Sequence, residues 1–298
     1  MDILQRNLYG EKFSNAFARK KGSEFQDWFI SIVNHFYGTR FQRVRPTGKN
    51  GDYKCDGYVT LEQIVFQCYA PSEYTERKLN TKITEDFSGA KEHWKGQIKK
   101  WVFVHNVIPG LGPTTTQLLN RLREENPDIT IETWCESELR DIAMELKLHQ
   151  LEAIFGFVPS MRTLDTLSYE DIAPVIAAIQ TQEPYPLGSP IKPVSVEKLD
   201  KNQLPLEAAE LLKIGRRKEQ LVRQYFSQHN QPDFGEHVAQ AFREKYGALK
   251  AIKAEPGTIF NRMHEFAGGI QDDVKKQGAV LAILSYFFEN CDIFEDPD

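Results

Sequence analysis

The 298-residue sequence has no apolar run near the roughly 20 residues that a membrane span requires. Its opening, Met1-Asp2-Ile3-Leu4-Gln5-Arg6, lacks the basic-then-apolar pattern of a secretory leader, so the expectation is a cytoplasmic chain with no membrane partner. Cysteine is scarce, and Cys55, Cys68, Cys135 and Cys291 stand apart without a C-x-x-C pair, which supports neither a zinc knuckle nor a disulfide framework. They read as small buried apolar residues. The seven histidines are dispersed and form no H-E-x-x-H box. No G-x-x-x-x-G-K-[ST] loop occurs, so the chain is not itself the ATPase of an assembly. A net charge of −5 argues against a general nucleic-acid coat protein.

What is present describes a globular chain, 41% hydrophobic and 27% charged, long enough for two domains. Its charge is unevenly spread. Basic and acidic residues balance over 1–155, and the acidic excess falls in 156–298. Within the first half, Arg19, Lys20, Lys21, Arg40, Arg43, Arg45, Lys49 and Lys54 gather before and around one motif, where they could neutralise DNA phosphates.

That motif is Thr47-Gly48-Lys49-Asn50-Gly51-Asp52-Tyr53-Lys54-Cys55-Asp56-Gly57-Tyr58, followed by Ile64-Val65-Phe66-Gln67-Cys68-Tyr69-Ala70-Pro71. Glycines at 48, 51 and 57 permit positive φ and close backbone approach, so Asp52 and Asp56 sit at a strand end without steric cost. Residues 64–69 read as a strand. Facing strands of a hairpin bring side chains within about 5 Å, which lets Asp56 and Gln67 share one ion. Mg²⁺ is a hard cation that needs only one or two carboxylates plus an amide or backbone oxygen. Standing alone, a G-D-x-x-x-D-G segment is often only an acidic turn; the strand behind it and the helix before it favour the nuclease layout.

The pattern G-D-x-x-x-D-G, a short gap, then apolar-Phe-Gln-x-Tyr-Ala-Pro resembles the Mrr-type branch of the PD-(D/E)XK nuclease superfamily. The resemblance implies a restriction-endonuclease-like α/β fold, with Asp56 and Gln67 as ligands of Mg²⁺, for which Mn²⁺ can substitute. Such nucleases usually carry a lysine two residues after the Gln, and Tyr69 stands there instead. Two replacements are available: Lys82, which shares a helix face with Lys78, and Lys54 inside the motif. The superfamily also places a Glu on the first helix as a further ligand, and Glu24 fits that role. Asp52 would assist directly or through water.

Periodicity places the remaining elements. Phe25, Trp28, Phe29, Ile32, Val33 and Phe36 recur at helical spacing over 23–37, with Ser23 and Gln26 as a capping box and Gly38 as terminator. Phe41–Arg45 leads as a strand into the turn. Helices are expected over 83–98, 117–125 and 137–154, and strands over 99–106 and 129–134, with His105 and Asn106 at a strand end. The domain expectation is a nuclease-like α/β domain over 1–155, a proline-rich connector over 156–205, and an α-helical domain over 206–298 for partner binding or oligomerisation.

The end of that helical region, Ala279 to Glu295, carries an aromatic-rich helix followed by Cys291-Asp292-Ile293-Phe294-Glu295. It resembles the C-terminal domain of effectors from bacterial ABC-three-component defence systems, the group that includes Lamassu-type systems. Phe66–Pro71 and Trp101–Asn106 are similar to the same effectors. The resemblance implies a metal-dependent endonuclease acting on double-stranded DNA of phage or plasmid. Its implied partners are an SMC-like or ABC-type ATPase and a small third subunit, with homo-oligomerisation when active. The alternative is a catalytically inactive nuclease fold that binds DNA or scaffolds the same complex, which the departure at Tyr69 favours. Tyr286, Phe287, Phe288 and Phe294 read as core or as an aromatic interface anchor.

Overall fold

The computed structural model describes residues 1–46, 52–107, 110–180, 198, 202–229, 234–269 and 273–290. Thr47 to Gly51 of the motif, most of the proline-rich stretch and the Cys291–Glu295 tail lie outside the described residues. The chain forms two compact units: Ala16–Ile154, and Met1–Asn15 together with Phe155–Asp298. The expected first domain began at residue 1; the α/β unit begins at Ala16.

The α/β unit is built on one five-stranded mixed sheet in the order β1-β2-β3-β4-β5. Strands β1 (Phe41–Arg43), β2 (Gly57–Val59) and β3 (Ile64–Tyr69) form an antiparallel meander. β4 (Lys100–His105) and β5 (Thr130–Trp134) then add in parallel to β3. Parallel strands need crossovers, and these are α3 (Glu76–His93) and α4 (Pro113–Glu125). Trp101, Val102, Phe103 and Val104 are all fully buried, as befits a strand covered on both faces. On one face Val65, Trp101, Phe103 and Ile131 meet Leu79, Ile83 and Phe87 of α3 and Leu119 and Leu122 of α4. On the other, the Phe66 ring lies 5.3 Å from Phe29 of α2 (Gly22–Tyr37) and 5.2 Å from Trp134. Preceding α2 is α1 (Ile3–Arg19), whose last turns enter this unit.

Several boundaries differ from the sequence expectation, each for a local reason. Helix α2 starts at Gly22 with Lys21 as its uncapped N-cap residue, so Ser23 and Gln26 form no capping box. Gly38 ends it as expected, at φ +59°. Helix α3 starts seven residues early because the Thr75 side chain accepts from the Lys78 amide, 3.3 Å, and Leu79 already faces the core. The expected helix over 137–154 is two, α5 (Glu136–Met144) and α6 (Leu148–Phe155), because the Lys147 amide turns to the Gln150 side chain at 2.8 Å.

In the helical unit, part of the expected connector is structured. Residues 156–205 include α7 (Met161–Asp165) and α8 (Tyr169–Gln180), with Leu164, Ile172, Val175, Ile176 and Ile179 buried. There follow α9 (Leu206–Gly215), α10 (Glu219–Ser227), α11 (Phe234–Ala251), α12 (Pro256–Phe266) and α13 (Val274–Asn290). Every residue of α13 from Gln277 to Asn290 is buried, so the helix is enclosed on all faces and the others pack about it. Tyr286, Phe287 and Phe288 are therefore core within this unit. Gly215 lets α9 approach α13 closely, because a Cβ there would strike the Ser285 hydroxyl and lie 2.8 Å from the Leu281 carbonyl oxygen.

A matched pair of substitutions tests this packing. Gly215→Ala should destabilise the helical unit by about 1–3 kcal/mol through overpacking. Gly247→Ala, mid-helix in α11 with open space around the new methyl, should stabilise by up to about 1 kcal/mol. Urea denaturation followed by circular dichroism reads both.

Candidate active site at the head of the hairpin

Asp56 stands one residue before β2, where its backbone joins three strands. Its amide donates to the Phe66 carbonyl at 2.8 Å and its carbonyl accepts from the Val44 amide at 3.2 Å. The carboxylate is 4% exposed. Its Oδ2 accepts from the Cys68 amide at 2.6 Å and its Oδ1 from the Gln26 side-chain amide of α2 at 2.5 Å. Burial pushes the Asp56 carboxyl up to about 6; the Cys68 amide and Lys82 oppose that rise, and Asp52 and Asp86 add to it.

Gln67 enters from β3, paired in register with Phe103 of β4 and 5% exposed. Its Oε1 is buried without a hydrogen-bond partner. A buried amide oxygen left without a partner is unusual, since such groups are almost always satisfied. This oxygen and the Asp56 carboxylate are both hard oxygen donors of the kind Mg²⁺ prefers, so the donor set fits a divalent cation. Among the described residues no group of three or more His, Cys, Asp or Glu side chains stands ready to hold a metal.

The other expected site residues distribute unevenly. Glu24 is exposed in the first turn of α2, and the residue of that helix that reaches Asp56 is Gln26, two positions on. Asp52 shapes the turn: its Oδ1 accepts from the Lys54 amide at 3.0 Å and its carbonyl from the Cys55 amide at 3.2 Å. Gly57 has no positive φ; its missing side chain makes room for the Phe41 ring, 2.5 Å from where a Cβ would lie. Tyr53 and Lys54 take the left-handed conformation instead, at φ +54° and +56°. His105 is buried with its pKa driven down to about 4 by burial, and its Nδ1 accepts from the Val107 amide at 3.3 Å.

Tyr69, at the position where a lysine is usual, stacks on Phe103 with ring centroids 5.9 Å apart. The lysines come from elsewhere and converge on one residue that sequence reasoning missed, Asp86 of α3. Asp86 is fully buried, with Lys82 Nζ 2.7 Å from Oδ2 and Lys54 Nζ 3.1 Å from Oδ1. The Lys54 stem lies against Gly89, its Cγ 2.6 Å from where a Cβ would sit. That ion pair is the foremost cause of the raised Lys54 pKa. The available signal was the Lys82–Asp86 spacing of four on a helix, with the carboxylate inside the apolar stripe of Ile83, Phe87 and Ala90.

Comparison with known proteins bears on the other unit. Residues 170–295 match the family model for C-terminal domain 10 of the ABC-three component (ABC-3C) systems, which ties the helical C-terminal part of the chain to those systems. No curated protein and no solved structure matches the chain. Among the described residues, no helix is long and apolar enough to cross a membrane.

The buried carboxylate makes a pH-dependent prediction. Because the folded state raises the Asp56 pKa from 3.8 to about 6, the fold binds its proton more tightly than the unfolded chain does. The ionised group therefore costs stability above pH 6, and the cost vanishes below pH 4. Asp56→Asn removes it. From pH 4 to pH 8, urea denaturation should show the variant gaining on the parent by up to about 3 kcal/mol.

Proposed function

We propose that the α/β unit is a PD-(D/E)XK, restriction-endonuclease-like nuclease domain, and that the chain is a DNA-cutting effector of an ABC-three-component system acting against phage or plasmid DNA. The observation that carries this reading is the buried Asp56 carboxylate at the head of a β-hairpin, with the orphaned Gln67 Oε1 carried by the facing strand β3. An antiparallel meander flanked by a preceding helix, then a helix and a parallel strand, is the arrangement such a fold requires, and α2, β1–β3, α3 and β4 supply it in that order.

Asp56 and Gln67 would hold the cation, Mg²⁺ or Mn²⁺. When bound, the ion lowers the pKa of water and offsets charge on the scissile phosphate. The chain's own residues do the rest. Lys82 and Lys54 would present ammonium groups to the negative charge that grows on the phosphoryl oxygens as the bond is attacked. Asp86 fixes where those ammonium groups stand, and the Cys68 amide and Gln26 fix the Asp56 carboxylate. The helical unit, tied to the ABC-three component systems, docks partner subunits: an SMC-like or ABC-type ATPase, a small third subunit and further copies of the chain.

A second reading has its own support. Both Asp56 oxygens already accept hydrogen bonds, both lysines rest on Asp86, and Tyr69 is packed on Phe103. That state suits an inactive nuclease fold that binds DNA or scaffolds the complex.

Purified chain, alone and with its neighbouring subunits, should cut plasmid and linear DNA with Mg²⁺ or Mn²⁺ and not with EDTA. Asp56→Ala should reduce cutting at least about a hundredfold with circular dichroism unchanged. Wild-type cutting by folded Asp56→Ala protein would overturn the nuclease reading. Metal-independent DNA binding without cutting, with partners present, would establish the second.

A further inference from the structure

Of the basic residues gathered before the motif, several are already neutralised. Arg40 pairs with Glu62, Arg43 with Asp27, and Lys54 with Asp86. Lys21 differs. Burial lowers its pKa with no charged neighbour contributing. The backbone on either side of it is pinned: the Asn106 side-chain amide donates to the Lys20 carbonyl at 2.8 Å, and the Gly22 amide donates to the Ala70 carbonyl at 2.7 Å. Gly22 takes φ +52°, where a glycine is needed.

Lys21 lines a cavity of about 180 Å³ together with Pro71, Ser72, Tyr74, Asn106 and Val107. Its lining residues follow the carboxyl ends of the parallel strands β3 and β4, the place where open α/β sheets take ligands. Among the described residues Lys21 is its sole charged lining residue, and the Ser72 and Tyr74 hydroxyls can each donate a hydrogen bond. A lining ammonium with hydroxyl donors beside it, the Glu76 carboxylate acting on Tyr74 notwithstanding, suits an oxyanion.

We infer that this cavity holds a backbone phosphate of the nucleic acid strand, with Lys21 as its counter-charge; the inference rests on the nuclease reading and names a contact to its substrate. The position suits that task. Helix α2 begins at the cavity and carries Gln26, bonded to Asp56, five residues further on. β3 serves both places as well, since the Cys68 amide holds Asp56 and Pro71, three residues later, lines the cavity.

The test is DNA binding in EDTA by full-length Asp56→Ala protein, using anisotropy of a fluorescent duplex across a salt series. Lys21→Gln added to that background should weaken binding about tenfold at 0.1 M salt and reduce the slope of log K against log salt by about one. Lys213→Gln, on the helical unit and paired with Glu210, should change neither. An unchanged slope and affinity for Lys21→Gln would overturn the inference, as would a parent protein that binds no DNA. So would a site for free phosphate alone, seen as stabilisation of the parent by inorganic phosphate that Lys21→Gln abolishes, with no change in the DNA slope. Cutting by the protein with Asp56 intact is measured separately, so failure here and failure of the nuclease reading are told apart.

Discussion

Asp56 gives up water for two hydrogen bonds, one from the Cys68 amide and one from the Gln26 side chain, and that exchange ties β2, β3 and α2 to one point. A desolvated carboxylate is costly unless its partners are in place. The strands beside it must therefore keep their register: a slip of one residue would remove the Cys68 amide and turn Gln67 to the opposite face. The aromatic contacts of Phe66 with Phe29 and Trp134 hold that register from the other side of the sheet. Packing and polar placement thus reinforce each other, and part of the cost of burial is offset by contacts that also fix the site.

A second constraint lies on α3. One buried carboxylate, Asp86, serves two ammonium groups that arrive by different routes, Lys82 along the same helix and Lys54 from a turn in left-handed conformation. Backbone strain of that kind persists where surrounding contacts over-determine it. Here the Asp86 ion pair, the seat against Gly89 and the Asp52 bond to the Lys54 amide do so. With Tyr69 on β3, positive charge reaches the neighbourhood of Asp56 from α3, since the electrostatics around that carboxylate include Lys82.

Much of this was legible before any coordinates. The β3 and β4 strands are strings of Ile, Val, Phe and Trp, and the α2 stripe repeats at helical spacing, so strand, helix and α/β class follow from periodicity. The hairpin that carries Asp56 and Gln67 was visible in the pattern, and both residues are buried. Other features were hidden for physical reasons. Glu24 and Gln26 lie two positions apart, about 200° around a helix, and only the helix's docking decides which one faces the strand end. Asp86 looked like one more charged residue in a charged segment, because burial of a polar group depends on tertiary partners rather than local pattern. Helices α7 and α8 were masked by the proline-rich stretch that follows them, which drew the whole of 156–205 into one connector.

The burial of α13 from Gln277 to Asn290 sets an order of events during synthesis. All strands and helices of the α/β unit are made before residue 155 and find their partners within that span, so it can close while the rest of the chain is still emerging from the ribosome. The helical unit cannot. Its central helix, Val274–Asn290, is translated after every other described helix, while Met1–Asn15, which belongs to the same unit, is translated first. Apolar faces of α8, α9 and α10 must wait for that last segment, so any surveillance by chaperones during synthesis falls on the helical half.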